Sequence, residues 1–273
     1  MFQEQYPHFE RDSILKSEML NNLREYPRDM FSLMYEDYSD GIITGVYVVV
    51  ENKNLDGKND QNSFGKTEST RIIIQPGIVK HLGKLYYMKE ECCLDYEPTE
   101  RNTVIKIIFE APEIESDFTT SKSRIVLSYE EANGMNELEL CRFLLKEGAK
   151  LRQDYQDISD FTTIHNTINR LYVPYASIGG TTITPEITHY YGEQLMNNNA
   201  TNPYDIAFAM QCIQNKQIHR PLIIQYLRVR LGINGSLNNE QIHSCFVSIL
   251  EEVQMGRSNR NTGMRTGRRV IVE

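Results

Sequence analysis

No stretch of this chain is apolar for long enough to cross a bilayer. The longest such run, around Ile42 to Val50, falls far short of the roughly 20 residues that a membrane helix needs. The opening Met-Phe-Gln-Glu-Gln-Tyr-Pro-His-Phe-Glu has acids and aromatics where a secretory leader has Lys or Arg before an apolar stretch. A cytoplasmic protein with no membrane span is therefore expected. Cysteine is sparse and odd in number: Cys92, Cys93, Cys141, Cys212 and Cys245. A chain of this length needs no disulfide framework, so reduced, mostly buried thiols are expected. Cys92 and Cys93 are adjacent; on a strand they face opposite sides and cannot chelate one ion together.

Catalytic signatures are also missing. There is no Gly-x-Ser-x-Gly elbow, and no cysteine sits in a nucleophile context. Gly65-Lys66-Thr67 matches the end of a phosphate-binding loop, but Asp60 stands where that loop requires its first glycine. The six histidines never fall within four residues of one another, and none has a cysteine within reach on the same helical face, so no zinc motif forms. Asp154, Asp157 and Asp160 are spaced by threes and would share one face of a helix, as metal or acid–base carboxylates do. With no His, Lys or Gly-rich element beside them, a solvated acidic face is the simpler reading, and a metal-dependent hydrolase is the weakest of three functional options. No enzyme, catalytic residue, cofactor or metal ligand is expected. A repeat with a period of 20 to 50 residues is absent, which excludes a solenoid or propeller.

What is present is an ordinary globular composition: 273 residues, 40% hydrophobic and 24% charged, enough for two domains or one large one with arms. Phe2, Tyr6 and Phe9 around Pro7 suit an extended, side-chain-anchored arm. Asp12 or Ser13 can then cap a helix with Leu15, Met19 and Leu23 on one face, which Pro27 is expected to end. A second short helix carries Met30, Leu33 and Met34. From Ile42 the period becomes two, and one strand is expected through Val46, Val48 and Val50. Further strands are expected at 71–75, 84–88, 104–109, 124–128 and 138–145, with a long solvated connection over 52–70.

Past Lys150 the pattern turns helical. Thr184-Pro185-Glu186 and Asn202-Pro203 start helices whose apolar faces are read as Ile187, Tyr190, Tyr191, Leu195 and as Ile206, Ala209, Met210, Ile213. Pro221 opens a third with Leu222, Tyr226 and Val229, closed by Gly232. Asn238 or Asn239 opens a fourth with Ile242, Phe246, Ile249, Leu250 and Val253. The fold class is thus α+β: an N-terminal docking arm and helices (1–38), an antiparallel β-sandwich (39–150), a small helical bundle (151–255) and a basic tail (256–273).

Charge is unevenly placed. Against a net −8, the segment from Gly256 onward holds Arg257, Arg260, Arg265, Arg268 and Arg269 with only Glu273 opposing them. An acidic body with a basic tail reads as a folded unit with a docking arm. The closing Val270-Ile271-Val272 suits a strand added to a partner's sheet edge. Nucleic-acid binding through the arginines is the alternative, although the tail has no aromatic for base stacking.

Three segments carry a resemblance. Pro7-His8-Phe9-Glu10-Arg11, then Tyr38-Ser39-Asp40-Gly41-Ile42-Ile43-Thr44-Gly45, then Ile72-Ile73-Ile74-Gln75-Pro76-Gly77-Ile78-Val79 with Gly83-Lys84 resemble the type VI secretion baseplate adaptors and related phage-tail-like contractile systems. The likeness covers roughly residues 1–150; the helices beyond match no receptor-binding head. The resemblance implies a shoulder-type β domain in which a Pro-Gly turn separates an outward strand from its return. It also implies a homotrimer whose arm (Phe2, Tyr6, Pro7, His8, Phe9) docks into a baseplate wedge or other tail-particle subunits.

Overall fold

The computed structural model describes residues 4–12, 14–52 and 70–263, with backbone only for 257–263. The fold is α+β, with antiparallel sheets followed by a group of helices.

Helix α1 (Ser17–Met34) comes first and runs straight through Pro27. Two short helices were expected there. The proline removes one amide from the ladder, but no residue of α1 is buried, so water can serve the carbonyl left over. The helix starts after Lys16, without a side-chain cap; Asp12 lies in a turn outside it, and Ser13 is outside the described residues.

The strand expected through Val50 is instead two, β1 (Gly41–Gly45) and β2 (Val48–Asn52). They face β4 (Gly77–His81) and β3 (Thr70–Ile74) respectively. Together the four form one long antiparallel ribbon, paired from Asn52↔Thr70 through Val48↔Ile74 and Gly45↔Gly77 to Gly41↔Lys80, with the register slipping by one residue between Ile42 and Thr44. Both halves of the ribbon bend at the same level. Gly45 and Val46 have φ of 70° and 56°, and a Cβ on Gly45 would lie 2.1 Å from the Pro76 carbonyl oxygen. Only glycine permits that approach. The ladder survives the corner, with the Val46 amide donating to Pro76 O at 3.2 Å and the Gln75 amide to Tyr47 O at 2.9 Å.

Pro76-Gly77 is therefore a corner and not a return turn, since β3 and β4 do not pair with each other. Strands bent in this way feed two sheets. With β5 (Lys84–Met88) and β6 (Cys92–Tyr96) added, these have the orders β1-β4-β5 and β2-β3-β6. The segment joining β2 to β3, including Gly65-Lys66-Thr67, lies outside the described residues.

β7 (Asn102–Phe109) is the centre of the third sheet. A two-residue hairpin of β8 (Glu113–Ile114) and β9 (Thr119–Thr120) follows it, and β7 is flanked by β10 (Ser123–Ser128) and β11 (Glu137–Leu144). Thr103 to Ile107 are all buried, as the near-continuous apolar run Val104-Ile105-Lys106-Ile107-Ile108-Phe109 requires. Lys106 is tolerated there because its Nζ lies 3.0 Å from Glu137. Ile42, Ile72, Ile74, Ile105, Leu140 and Phe143 join the three sheets in one apolar core. β6 places Cys92 toward that core and Cys93 in solvent. The thiols are free, but only Cys141 and Cys212 are buried, fewer than expected, because Cys92 and Cys245 sit at the margins of their cores.

Regular helix resumes only at Pro185. The chain before it is a strap, interrupted by a 3-10 turn at Ile158–Thr162, and it covers sheet edges that would otherwise expose unpaired backbone. On β11 the Arg142 and Asn169 amides and carbonyls exchange bonds of 2.9 and 2.8 Å; on β1 the Ile42 amide donates to Pro174 O at 2.9 Å and its carbonyl accepts from Ala176 at 2.8 Å.

α2 (Pro185–Asn197), α3 (Pro203–Gln214), α4 (Arg220–Leu231) and α5 (Asn239–Gly263) build the second core around Ile187, Tyr191, Phe208, Ile223, Leu227 and Phe246. Asn202 accepts from the Tyr204 amide, and Gly232 closes α4 at φ 70°. Asn238 and Gln241 cap α5 reciprocally, each side chain accepting the other's amide at 2.8 and 2.9 Å. The α5 face is as read. On α3 the buried face is Asp205, Phe208, Ala209 and Cys212, with Met210 and Ile213 exposed. On α4 it is Ile223, Tyr226 and Leu227, with Leu222 and Val229 exposed. One polar residue explains the shift. Asp205 is fully buried, 3.0 Å from Arg230, and accepts from the Tyr226 hydroxyl at 2.8 Å.

Arg170 joins the two cores. Its guanidinium is buried and donates to the Val48 carbonyl of β2 and to Glu186 in the first turn of α2.

Candidate docking surface of the N-terminal arm and helix

At 100° per residue, α1 divides cleanly. Met19, Leu20, Leu23, Tyr26, Pro27, Met30, Phe31, Leu33 and Met34 fall on one side; Ser17, Glu18, Asn21, Asn22, Arg24, Glu25, Arg28, Asp29 and Ser32 fall on the other. Such a face ordinarily packs on a core, yet Leu23 is 50% exposed and Leu33 65%. An exposed apolar strip of this extent marks an interaction site. The arm continues it: Tyr6 and Phe9 are exposed, and Tyr6 lies against His8 with ring centroids 5.0 Å apart.

The helix is held at one end. Lys80 on β4 is 7% exposed, and its ammonium donates to the carbonyls of Tyr35 (2.6 Å), Glu36 (3.0 Å) and Tyr38 (2.7 Å) just past the α1 C-terminus. A cation there also suits the negative end of the helix. The Tyr38 ring meets His219 at 5.7 Å, and the Ser39 amide donates to Ser177 O at 3.0 Å. The pivot thus joins the first sheet, the strap and the start of α4. Beside it His81 stacks on Phe109 at 3.9 Å, and burial pushes its pKa below 6.5 despite the nearby Asp40.

Of the residues expected to bind partners, Tyr6, Pro7, His8 and Phe9 lie in the irregular arm. Phe2 is outside the described residues. Arg257 and Arg260 lie on the α5 backbone, which extends to Gly263 where the basic tail was expected to begin at 256; their side chains are outside the described residues, as are Arg265, Arg268, Arg269 and Val270-Ile271-Val272 altogether. The full α1 face was missed in the sequence. Its signal was available, because the stripes before and after Pro27 stay in phase through Leu23, Tyr26 and Met30.

The aspartate triplet does not share a helix face. Asp157 caps the 3-10 turn, accepting from the Ser159 and Asp160 amides; the Ser159 hydroxyl and these amides hold its carboxyl below the usual range. Asp160 accepts from the Gln156 amide at 2.8 Å and lies 3.7 Å from Arg152. Among the described residues no three His, Cys, Asp or Glu side chains group as metal ligands. A cleft of about 530 Å³ lies between Tyr47 and the helices, lined by Tyr155, Glu186, His189 and Glu193, but Glu186 is committed to Arg170. No described helix is long and apolar enough to cross a membrane.

No protein-family model matches the chain, and no curated protein matches its sequence. Among solved structures, a chain of the type VI secretion system TssK-TssF-TssG baseplate subcomplex, determined by cryo-electron microscopy, is similar over 93% of this chain and 100% of that one, with 10% identity and a TM-score of 0.38. The crystal structure of TssK is similar over 92% of this chain and 69% of that one, with 7% identity and a TM-score of 0.39.

Proposed function

We propose that this chain is a non-enzymatic, cytoplasmic building block of a phage-tail-like contractile apparatus, a baseplate or fibre adaptor that forms a homotrimer and docks other baseplate subunits. The observation that carries the assembly role is a helix with most of its apolar side in solvent and none of it buried, pinned at its C-terminal end by a buried lysine. A protein acting alone gains nothing from such a face. The particular apparatus is suggested by the resemblance of residues 7–11, 38–45 and 72–79 to baseplate adaptors. Tyr6, Pro7, His8 and Phe9 supply the aromatic anchors that such docking uses.

The test is to purify the tagged chain and its Tyr6→Ala/Phe9→Ala variant from the cells that produce it. Wild type should bring down sheath- and wedge-class structural subunits in fixed ratio, and the variant should lose them. Recovery of nucleic acid with salt-steep affinity and no such subunits would instead favour binding through the arginine tail.

A further inference from the structure

The polar side of α1 is sorted by charge. Asp29, Glu18 and Glu25 flank one margin of the apolar face, and Arg24 and Arg28 flank the other. In the single chain Arg24 and Glu25 touch at 2.6 Å, both exposed. Within the face, Met19, Leu23, Tyr26, Met30 and Leu33 recur at alternating steps of four and three, which is the seam of a coiled coil. Leu20, Pro27 and Met34 form a further apolar column at steps of seven.

From these features we infer that α1 is covered by the α1 helices of two other copies of this chain, in a parallel three-helix bundle; this rests on the homotrimeric reading above. A two-stranded coil buries the seam and leaves the extra column wet, whereas a third helix covers it. The charges fix direction. Antiparallel helices bring like margins together, acid on acid. Parallel helices bring the acidic margin of each against the basic margin of the next, in the same sense around a closed ring. A membrane surface fits less well, because helices that lie on lipid carry Lys and Arg on their polar face, whereas this face mixes three acids with two arginines. The arm and the helix then divide the work: the arm reaches out to other subunits while α1 binds its own kind.

Light scattering on the full chain tests this. Wild type should have three times the monomer mass. Leu23→Glu/Met30→Glu should be monomeric with an unchanged circular dichroism spectrum, since neither residue is buried in the monomer. Arg24→Glu/Arg28→Glu should weaken association about tenfold or more, and adding Glu25→Arg/Asp29→Arg to the same chain should restore it. A trimer that survives Leu23→Glu/Met30→Glu overturns this inference and leaves the homotrimeric reading standing. A wild type that stays monomeric at its highest soluble concentration overturns both.

Discussion

Helices α1 and α5 each carry an apolar stripe, and the two stripes have opposite fates. In α5, Ile242, Phe246 and Ile249 are wholly buried, with Phe246 stacked on Tyr191 at 4.0 Å. In α1 no residue is buried. The difference lies in what surrounds them. α5 follows three helices whose side chains meet it, a reciprocal Asn238–Gln241 cap starts it, and Arg220 at the start of α4 donates to the Leu237 carbonyl and the Asn239 side chain there. α1 precedes every other element, and the body holds it through the Lys80 contacts at its end. Periodicity therefore says that a face will be covered, but not whether this chain or another covers it.

The contrast can be broken most sharply at Phe246. Phe246→Ala should cost about 3–5 kcal/mol in urea unfolding, because it empties a site packed on all sides. Lys80→Met should cost about 1–3 kcal/mol, since three carbonyls lose their donor in a buried place. It should also free the C-terminal end of α1, read as faster amide exchange over residues 35–40.

A smaller effect comes from pH. Burial lowers the pKa of both His243 and His81 from 6.5. Below that value the unfolded chain binds protons that the native state refuses, so stability is intact above about pH 6.5 and declines as pH falls through it. The thermal midpoint should drop between neutral pH and about pH 5. His243→Gln should flatten that drop more than any change on α1, because His243 faces the Ile158 carbonyl from inside the helical core. The smallest effect is expected at Leu23. Leu23→Ser should change the stability of the dilute monomer by no more than about 0.5 kcal/mol, while lowering its tendency to associate.

Much of this architecture was legible because its signals are local. Pro185, Pro203, Pro221 and Gly232 mark helix ends by their own backbone chemistry, and the α5 stripe needs no distant partner to be read. The misreadings occurred where a distant residue decides. Asp205 turns inward only because Arg230 and Tyr226 receive it, which rotates the α3 face by one position. Pro76-Gly77 looks like a turn until Gly45 lies opposite it across the ribbon, and then it becomes a corner between sheets. The strap after Lys150 has no regular period, because its bonds are divided between the edges of β1 and β11 and isolated pairs within the strap itself, such as Tyr175 with Thr182, and follow no continuous ladder. For the docking surface, the aromatic arm was plain in the sequence, but Pro27 hid the continuity of α1. A proline ends a helix that must be buried, and is tolerated in one whose loose carbonyl can find water.

The most direct measurement is amide hydrogen exchange on the full-length protein at high and low concentration. If copies assemble through α1, its amides from residue 20 to 33 should be slow at high concentration and fast on dilution, while those of 242–250 in α5 stay slow at both. Exchange in α1 that is fast at every concentration would contradict the account.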